Sequence, residues 1–177
     1  MSRDIRITPS ILNADFSRLD EEIRRISGVS DLLHLDVMDD VFVPNFTFDF
    51  DSASKIIANS PIPIDTHLMV ADVDEIALEY AQAGSSSVTI HAEASSAISA
   101  TLRAIKAEGS RAGLALKPGS SIADYADCVD DVDMFLIMTV EPGCGGQKFM
   151  STMMEKVSAT KAIIGDRPIW LQVDGGI

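Results

Sequence analysis

Histidine occurs at positions 34, 67 and 91 only, and at two of them an aspartate stands two residues away. His34 precedes Asp36 and Asp65 precedes His67, so in extended chain each pair projects from one face of its strand. Asp174 ends a later apolar run. A charged group inside a strand is costly unless it is paired, and a metal ion removes that cost. His34, Asp36, His67 and Asp174 therefore form a candidate N2O2 ligand set for zinc, iron or manganese. Asp65 reads either as a residue that orients a ligand or as a hydrogen-bonded strand position. His91, alone on its strand, reads as a satisfied core histidine.

Two glycine-rich turns form a second group. Pro142-Gly143-Cys144-Gly145-Gly146-Gln147 precedes an amphipathic segment, and Gly175-Gly176 follows Asp174. Glycine lets backbone N–H groups approach a phosphate, and a following helix adds partial positive charge. Neither turn is a P-loop or a dinucleotide fingerprint, because the required Gly-Lys-Ser/Thr and GxGxxG patterns are missing. Met38, Met69 and Met138 sit near strand ends, each readable as core filler and together as a dry wall around a reacting centre. Ser10 follows Pro9, where a hydroxyl meets a ligand or caps a turn. Cys144 has no base placed to activate it, so no nucleophile is assigned. Carboxylates on separate strands, a metal and a phosphate grip suit proton transfer beside a carbonyl, one carboxylate removing the proton and the other returning it from the opposite face.

These residues need a scaffold that brings strand ends together. Strand-length apolar runs at Ile5–Leu12, Leu32–Val37, Ile62–Val70, Ser86–His91, Ala112–Leu116, Met134–Val140 and Ile169–Val173 alternate with longer amphipathic stretches. The latter predict helices over Phe16–Ile26, Phe50–Ala58, Val73–Ala83, Ala97–Ala107, Ile122–Val129 and Met150–Ile163. Gly84 and Gly109 stand where helix C-caps belong, and Pro168 stops the last helix. Such alternation implies a parallel sheet under helices, either closed as a barrel or open and doubly wound. In both, ligands bind at the carboxyl ends of the strands.

Composition narrows the classes. The chain has 177 residues, 14 Lys+Arg against 27 Asp+Glu and a net charge of −13. That acidity argues against nucleic acid as a partner, and any anionic ligand must be held by amides or a metal. Two cysteines, Cys128 and Cys144, are too few for a disulfide framework. No apolar run is long enough to span a bilayer, and MSRDIRITPS lacks a signal-peptide core. A single cytoplasmic domain without a membrane partner is expected.

The motifs Ser10-Ile11-Leu12 with Ala14-Asp15, His34-Leu35-Asp36-Val37-Met38-Asp39, Phe42-Val43-Pro44-Asn45, His67-Leu68-Met69-Val70, Glu141-Pro142-Gly143-Cys144-Gly145-Gly146-Gln147-Lys148-Phe149 and Val173-Asp174-Gly175-Gly176 resemble ribulose-phosphate 3-epimerases. The resemblance runs in family order from about residue 5 to the last. It implies a (β/α)8 TIM barrel that interconverts D-ribulose 5-phosphate and D-xylulose 5-phosphate. Asp36 and Asp174 correspond to the two acid/base catalysts. His34, Asp36, His67 and Asp174 correspond to the ligands of a divalent metal ion such as zinc, iron, manganese or cobalt. Ser10 and His67 match substrate-contacting positions, and Gly145, Gly146, Gln147, Gly175 and Gly176 match the phosphate grip. The resemblance also implies a homo-oligomer.

The chain departs from that pattern in three places. Asp40 and Asp49 stand where the family usually has glycine, adding negative charge near an anionic substrate. The sequence stops after the seventh predicted strand, so the expected barrel lacks helix 7, strand 8 and helix 8. Rival expectations are a six-carbon ketose 6-phosphate as substrate, an inactive metal-binding fragment, and an open doubly wound sheet that binds a phosphorylated ligand.

Overall fold

Alternate residues along each strand divide between two different environments. The computed structural model describes residues 5–177, with six strands: β1 (Leu33–Met38), β2 (Ile64–Met69), β3 (Ser87–His91), β4 (Arg111–Leu116), β5 (Met134–Met138) and β6 (Trp170–Asp174). One face carries Leu33, Leu35, Val37, Ile64, Leu68, Val88, Ile90, Leu114, Phe135 and Ile137, all buried in the main apolar core. Helices α1 (Leu19–Ile26), α2 (Phe50–Asn59), α3 (Val73–Gln82), α4 (Ile98–Ala107) and α5 (Met153–Ile164) cover that face. They contribute Ile23, Ala53, Ile57, Ala77, Leu102, Ile105 and Ile164 to the same core. Each fully buried Leu, Ile or Phe there contributes roughly 1.5–3 kcal/mol by leaving water. On β1–β3 the other face is polar, with His34, Asp36, Asp65, His67, Ser87, Thr89 and His91 all at most 3% exposed, whereas on β4 and β5 it carries Ala115, Leu136 and Met138.

The strands pair in parallel in the order β1-β2-β3-β4-β5-β6. An open doubly wound sheet reverses its order at a switch point, and this sheet does not. With every crossover right-handed, consecutive order sends all helices to one side and curls the sheet round its polar face. The curl brings distant strands together. Gln172 on β6 donates to Asp65 Oδ2 on β2 at 3.0 Å, and the Arg6 guanidinium lies 3.9 Å from the Trp170 ring centre. The architecture is a TIM-barrel-like half-barrel with helices outside.

Two expected elements take other forms. Residues 5–12 run beside β1 but make only one bridge, Ser10 to His34. His34 N donates to Pro9 O at 2.9 Å and Ile11 N to His34 O at 3.2 Å. Pro9 has no N–H to extend that ladder downward, and Ile11 O is turned to Ala14 N at 3.0 Å. The segment predicted as a helix over Ile122–Val129 is a 3-10 helix at Ile122–Cys128. Its apolar residues Ile122, Tyr125 and Cys128 recur every three positions, which suits three residues per turn. No helix among the described residues is long and apolar enough to cross a membrane.

The glycine departures are absorbed locally. Asp40 adopts φ 58°, the left-handed region that aspartate tolerates better than most residues, and its amide donates to Asn45 O at 2.8 Å. Asp49 has φ −74° and caps α2, accepting from Ser52 N at 2.8 Å. Asp49 thus needs no glycine-like backbone.

Gly113 on β4 is required for a different reason. A Cβ there would lie 2.9 Å from Thr89 Cβ and 3.1 Å from Thr89 Cα on β3. Gly113→Ala is expected to destabilise the fold by about 1–3 kcal/mol through overpacking. Urea unfolding would read this as a lower midpoint at unchanged slope.

Candidate active site

Strand register builds the site. Parallel pairing sets His34 beside Asp65, Asp36 beside His67 and Met38 beside Met69. The two His/Asp pairs of the sequence thereby become a checkerboard in which every imidazole faces a carboxylate. His34 Nδ1 lies 2.7 Å from Asp65 Oδ2, and His67 Nδ1 lies 3.0 Å from Asp36 Oδ1. Asp174 arrives from β6, across the curl, with its Oδ2 at 4.0 Å from both His34 Nε2 and His67 Nδ1.

His34, Asp36, His67 and Asp174 each offer one ligand atom, all within 4.8 Å of one another. His34 Nε2 is 3.3 Å from His67 Nδ1 and 3.4 Å from Asp36 Oδ1. Tetrahedral bonds of about 2.0–2.2 Å place neighbouring donors roughly 3.3–3.6 Å apart, so the spacing suits a divalent ion. The surroundings fit as well. Asp65 backs His34, and its remaining capacity is taken by Ser87 Oγ at 2.5 Å and Gln172 Nε2 at 3.0 Å. A carboxylate behind a ligating imidazole fixes its tautomer and leaves Nε2 free to bind. The orienting role for Asp65 is the one the geometry supports.

Charge in this buried patch is tightly balanced. Burial alone would depress His34, yet the charges and hydrogen bonds of Asp36 and Asp65 prevail and hold its pKa well above the usual imidazole value. Burial would likewise raise Asp36, and His34 with His67 outweigh it, keeping the carboxyl well below its usual range. His91 behaves differently: burial dominates and takes it down to about 4, so it is a neutral imidazole at pH 7. It lies outside the ligand group, with Nε2 2.9 Å from His67 Nε2 and Nδ1 3.2 Å from Glu93 Oε2. It is satisfied, as a core histidine should be, but its partner is a residue of the cluster.

Other side chains hold the aspartates. Ser10 Oγ donates to Asp36 Oδ2 at 2.5 Å. Thr47 Oγ1 donates to Asp36 O at 2.7 Å and accepts from Met38 N at 3.0 Å. The buried Thr139 does the same for β6, its hydroxyl reaching Asp174 O at 2.8 Å and Gly175 O at 2.7 Å. Thr47, Thr139 and Glu93 were not candidates in the sequence, because their partners are backbone atoms or residues that only register and looping bring near. Met38 and Met69 are buried with Val43, and Met138 with Ala115, Leu136 and Val140, so all three line the dry side of this level.

The glycine turns meet beside it. A Cβ on Gly176 would lie 2.5 Å from Phe149 N, and one on Gly145 would lie 2.5 Å from Asn13 Nδ2. The amides of Gly145, Gly146, Gly175 and Gly176 donate to no acceptor among the described residues. Gln147 turns its side chain into its own loop, donating to Glu141 O at 2.6 Å and Cys144 O at 2.8 Å. Asn45 Nδ2 donates to Gly143 O at 3.1 Å, tying the Phe42–Asn45 motif to the same loop.

A family model described as the ribulose-phosphate 3 epimerase family matches residues 6–177. The chain belongs to that family. The ribulose-phosphate 3-epimerase of Mycobacterium bovis is 43% identical over 173 residues, covering 97% of this chain and 75% of that protein. The Bacillus subtilis ribulose-phosphate 3-epimerase is 37% identical over 177 residues, covering 98% and 82%. Among solved structures, KGPDC from Streptococcus mutans aligns with a TM-score of 0.68 at 12% identity, covering 97% of this chain and 78% of that one. Tryptophan synthase from Mycobacterium tuberculosis aligns with a TM-score of 0.62 at 15% identity, covering 97% and 76%. At those identities the likeness speaks to the fold alone. Membership of the ribulose-phosphate 3-epimerase family makes the chain an isomerase of the epimerase class, and its His/Asp cluster can hold a metal ion.

Replacing His34 or His67 with alanine is expected to abolish stoichiometric metal binding, and Asp65→Asn to weaken it about 10–100-fold. Metal analysis after dialysis checks the first, and chelator competition the second. Unchanged metal content in both alanine variants would refute the ligand set.

Proposed function

We propose that the chain interconverts D-ribulose 5-phosphate and D-xylulose 5-phosphate by moving the proton at C3 through an enediolate. The observation that carries this reading is the convergence of Asp36 and Asp174, from strands at opposite sides of the curl, on one imidazole-lined point. Two carboxylates at one centre suit removal of a carbon-bound proton on one face and its return on the other. A zinc, iron, manganese or cobalt ion held by His34, Asp36, His67 and Asp174 would polarise the ketone and offset negative charge developing on the substrate oxygens.

The remaining roles fall to the protein's own groups. Asp36 and Asp174 take and give the C3 proton. Ser10 and His67 hold Asp36 in position from its two oxygens and border the substrate. Met38, Met69 and Met138 keep water from the reacting carbon. The phosphate lies against the amides of Gly145, Gly146, Gly175 and Gly176, with Gln147 holding the loop in shape. Backbone amides suit an acidic chain of net charge −13, which has few basic side chains to commit. The free cysteines Cys128 and Cys144 accord with a reducing, cytoplasmic setting, and we assign a homo-oligomer on family grounds.

Purified protein supplied with each of the four metals is expected to convert ribulose 5-phosphate to xylulose 5-phosphate, with one solvent deuterium entering at C3 in D2O. Asp36→Asn and Asp174→Asn should each lower kcat by roughly 100–10,000-fold or more, the range of general acid–base catalysis. Parent-like rates in either variant would overturn the two-carboxylate assignment. A higher kcat/KM for a six-carbon ketose 6-phosphate would move the substrate to that class, and no turnover of either sugar would reject the function.

A further inference from the structure

The hydrogen-bond chain behind His67 ends on a carboxylate that neither the ligand set nor the proton transfer uses. His67 presents Nδ1 to the cluster and Nε2 to His91, whose Nδ1 faces Glu93 Oε2. The other oxygen of Glu93 accepts from Lys117 N at 2.9 Å and from the Ser120 hydroxyl. A carboxylate only accepts, so it dictates the direction of every bond in the chain. His91 donates from Nδ1 and accepts at Nε2; His67 then donates from Nε2 and keeps its Nδ1 lone pair for a ligand.

We propose that Glu93 is a positioning residue that sets the tautomer of His67 through His91. The proposal rests on the reading of His67 as a metal ligand. It makes Glu93 the two-step counterpart of Asp65, which fixes His34 by direct contact. Each imidazole of the cluster is then backed by one carboxylate, at one bond or at two. Glu93 is also where the loop after β4 is fastened, and Lys156 Nζ holds that loop from α5 through Lys117 O and Pro118 O, both at 2.8 Å. The tautomer of a buried histidine is thereby fixed from a loop outside the strands.

Glu93→Gln tests the relay, because an amide can donate. With its NH2 toward His91 Nδ1 the chain reverses, and His67 carries its proton on the nitrogen that should bind the ion. With its carbonyl toward His91, the NH2 meets the Lys117 N–H and leaves that amide without an acceptor. Zinc affinity measured by chelator competition is expected to fall about 10–100-fold in Glu93→Gln. Ser120→Ala loosens the same loop but spares the His91 bond, and should leave affinity unchanged. Equal affinity of Glu93→Gln and parent, or an equal loss in Ser120→Ala, would overturn the proposal. If Glu93→Gln does not fold, 15N NMR of the zinc-loaded parent reads the tautomers directly. A proton on His91 Nδ1 is expected, and one on His91 Nε2 overturns the relay. Failure of the parent itself to bind zinc would reject the ligand reading first and the relay with it, so the two failures are distinguishable.

Discussion

The register between β1 and β2 is the constraint on which the site depends. It sets His34 against Asp65 and Asp36 against His67, so that imidazoles and carboxylates alternate both along and across the strands. A slip of two residues would face His34 with His67 and leave Asp36 beside Met69, without the His67 contact that helps to offset its burial. A slip of β2 by one would send Asp65 and His67 into the apolar layer under the helices. Either error buries unpaired charge, which costs several kcal/mol per group. The same pairing that makes the cluster chemically useful therefore enforces the alignment that creates it.

Stability and chemistry are divided between the two faces of the sheet. Leu35, Leu68, Ile90, Leu114 and Phe135 face the helices and supply the apolar burial that any domain needs. On β1–β3 the inner face gives much of that up, while Ala115, Leu136 and Met138 keep an apolar patch on β4 and β5. Buried ion pairs contribute little net stability once desolvation is counted, so the inner face is held together at the expense of the outer one. Its polar atoms are nearly all matched. Among the described residues only Thr89 Oγ1 and Gln172 Oε1 are buried without a partner, and both belong to the inner face.

What the sequence made legible follows from the period of a strand. His34, Asp36, His67 and Asp174 could be grouped because they stand at alternate positions near strand ends, and the family motifs around them are long. The part played by Asp65 stayed open because it depends on register, which no single strand encodes. Thr47 and Thr139 were invisible for a related reason: each is an ordinary loop or strand-end threonine until its hydroxyl meets the backbone of Asp36 or Asp174. The alternation of strands and helices was plain, whereas residues 5–12 read as a strand by apolar content while Pro9 limited their pairing to one bridge.

The two aspartates of the cluster are held unequally, and this bears on how they can act. Asp36 is 3% exposed, with one oxygen against His67 and the other against Ser10. The Asp174 side chain is 28% exposed and is steadied through its backbone by Thr139. The two carboxylates therefore differ in their access to solvent. Under the proposed proton transfer, which must run in both directions between two epimers, one enclosed and one more open carboxylate would give each face of the reacting carbon its own proton partner while both converge on the same centre.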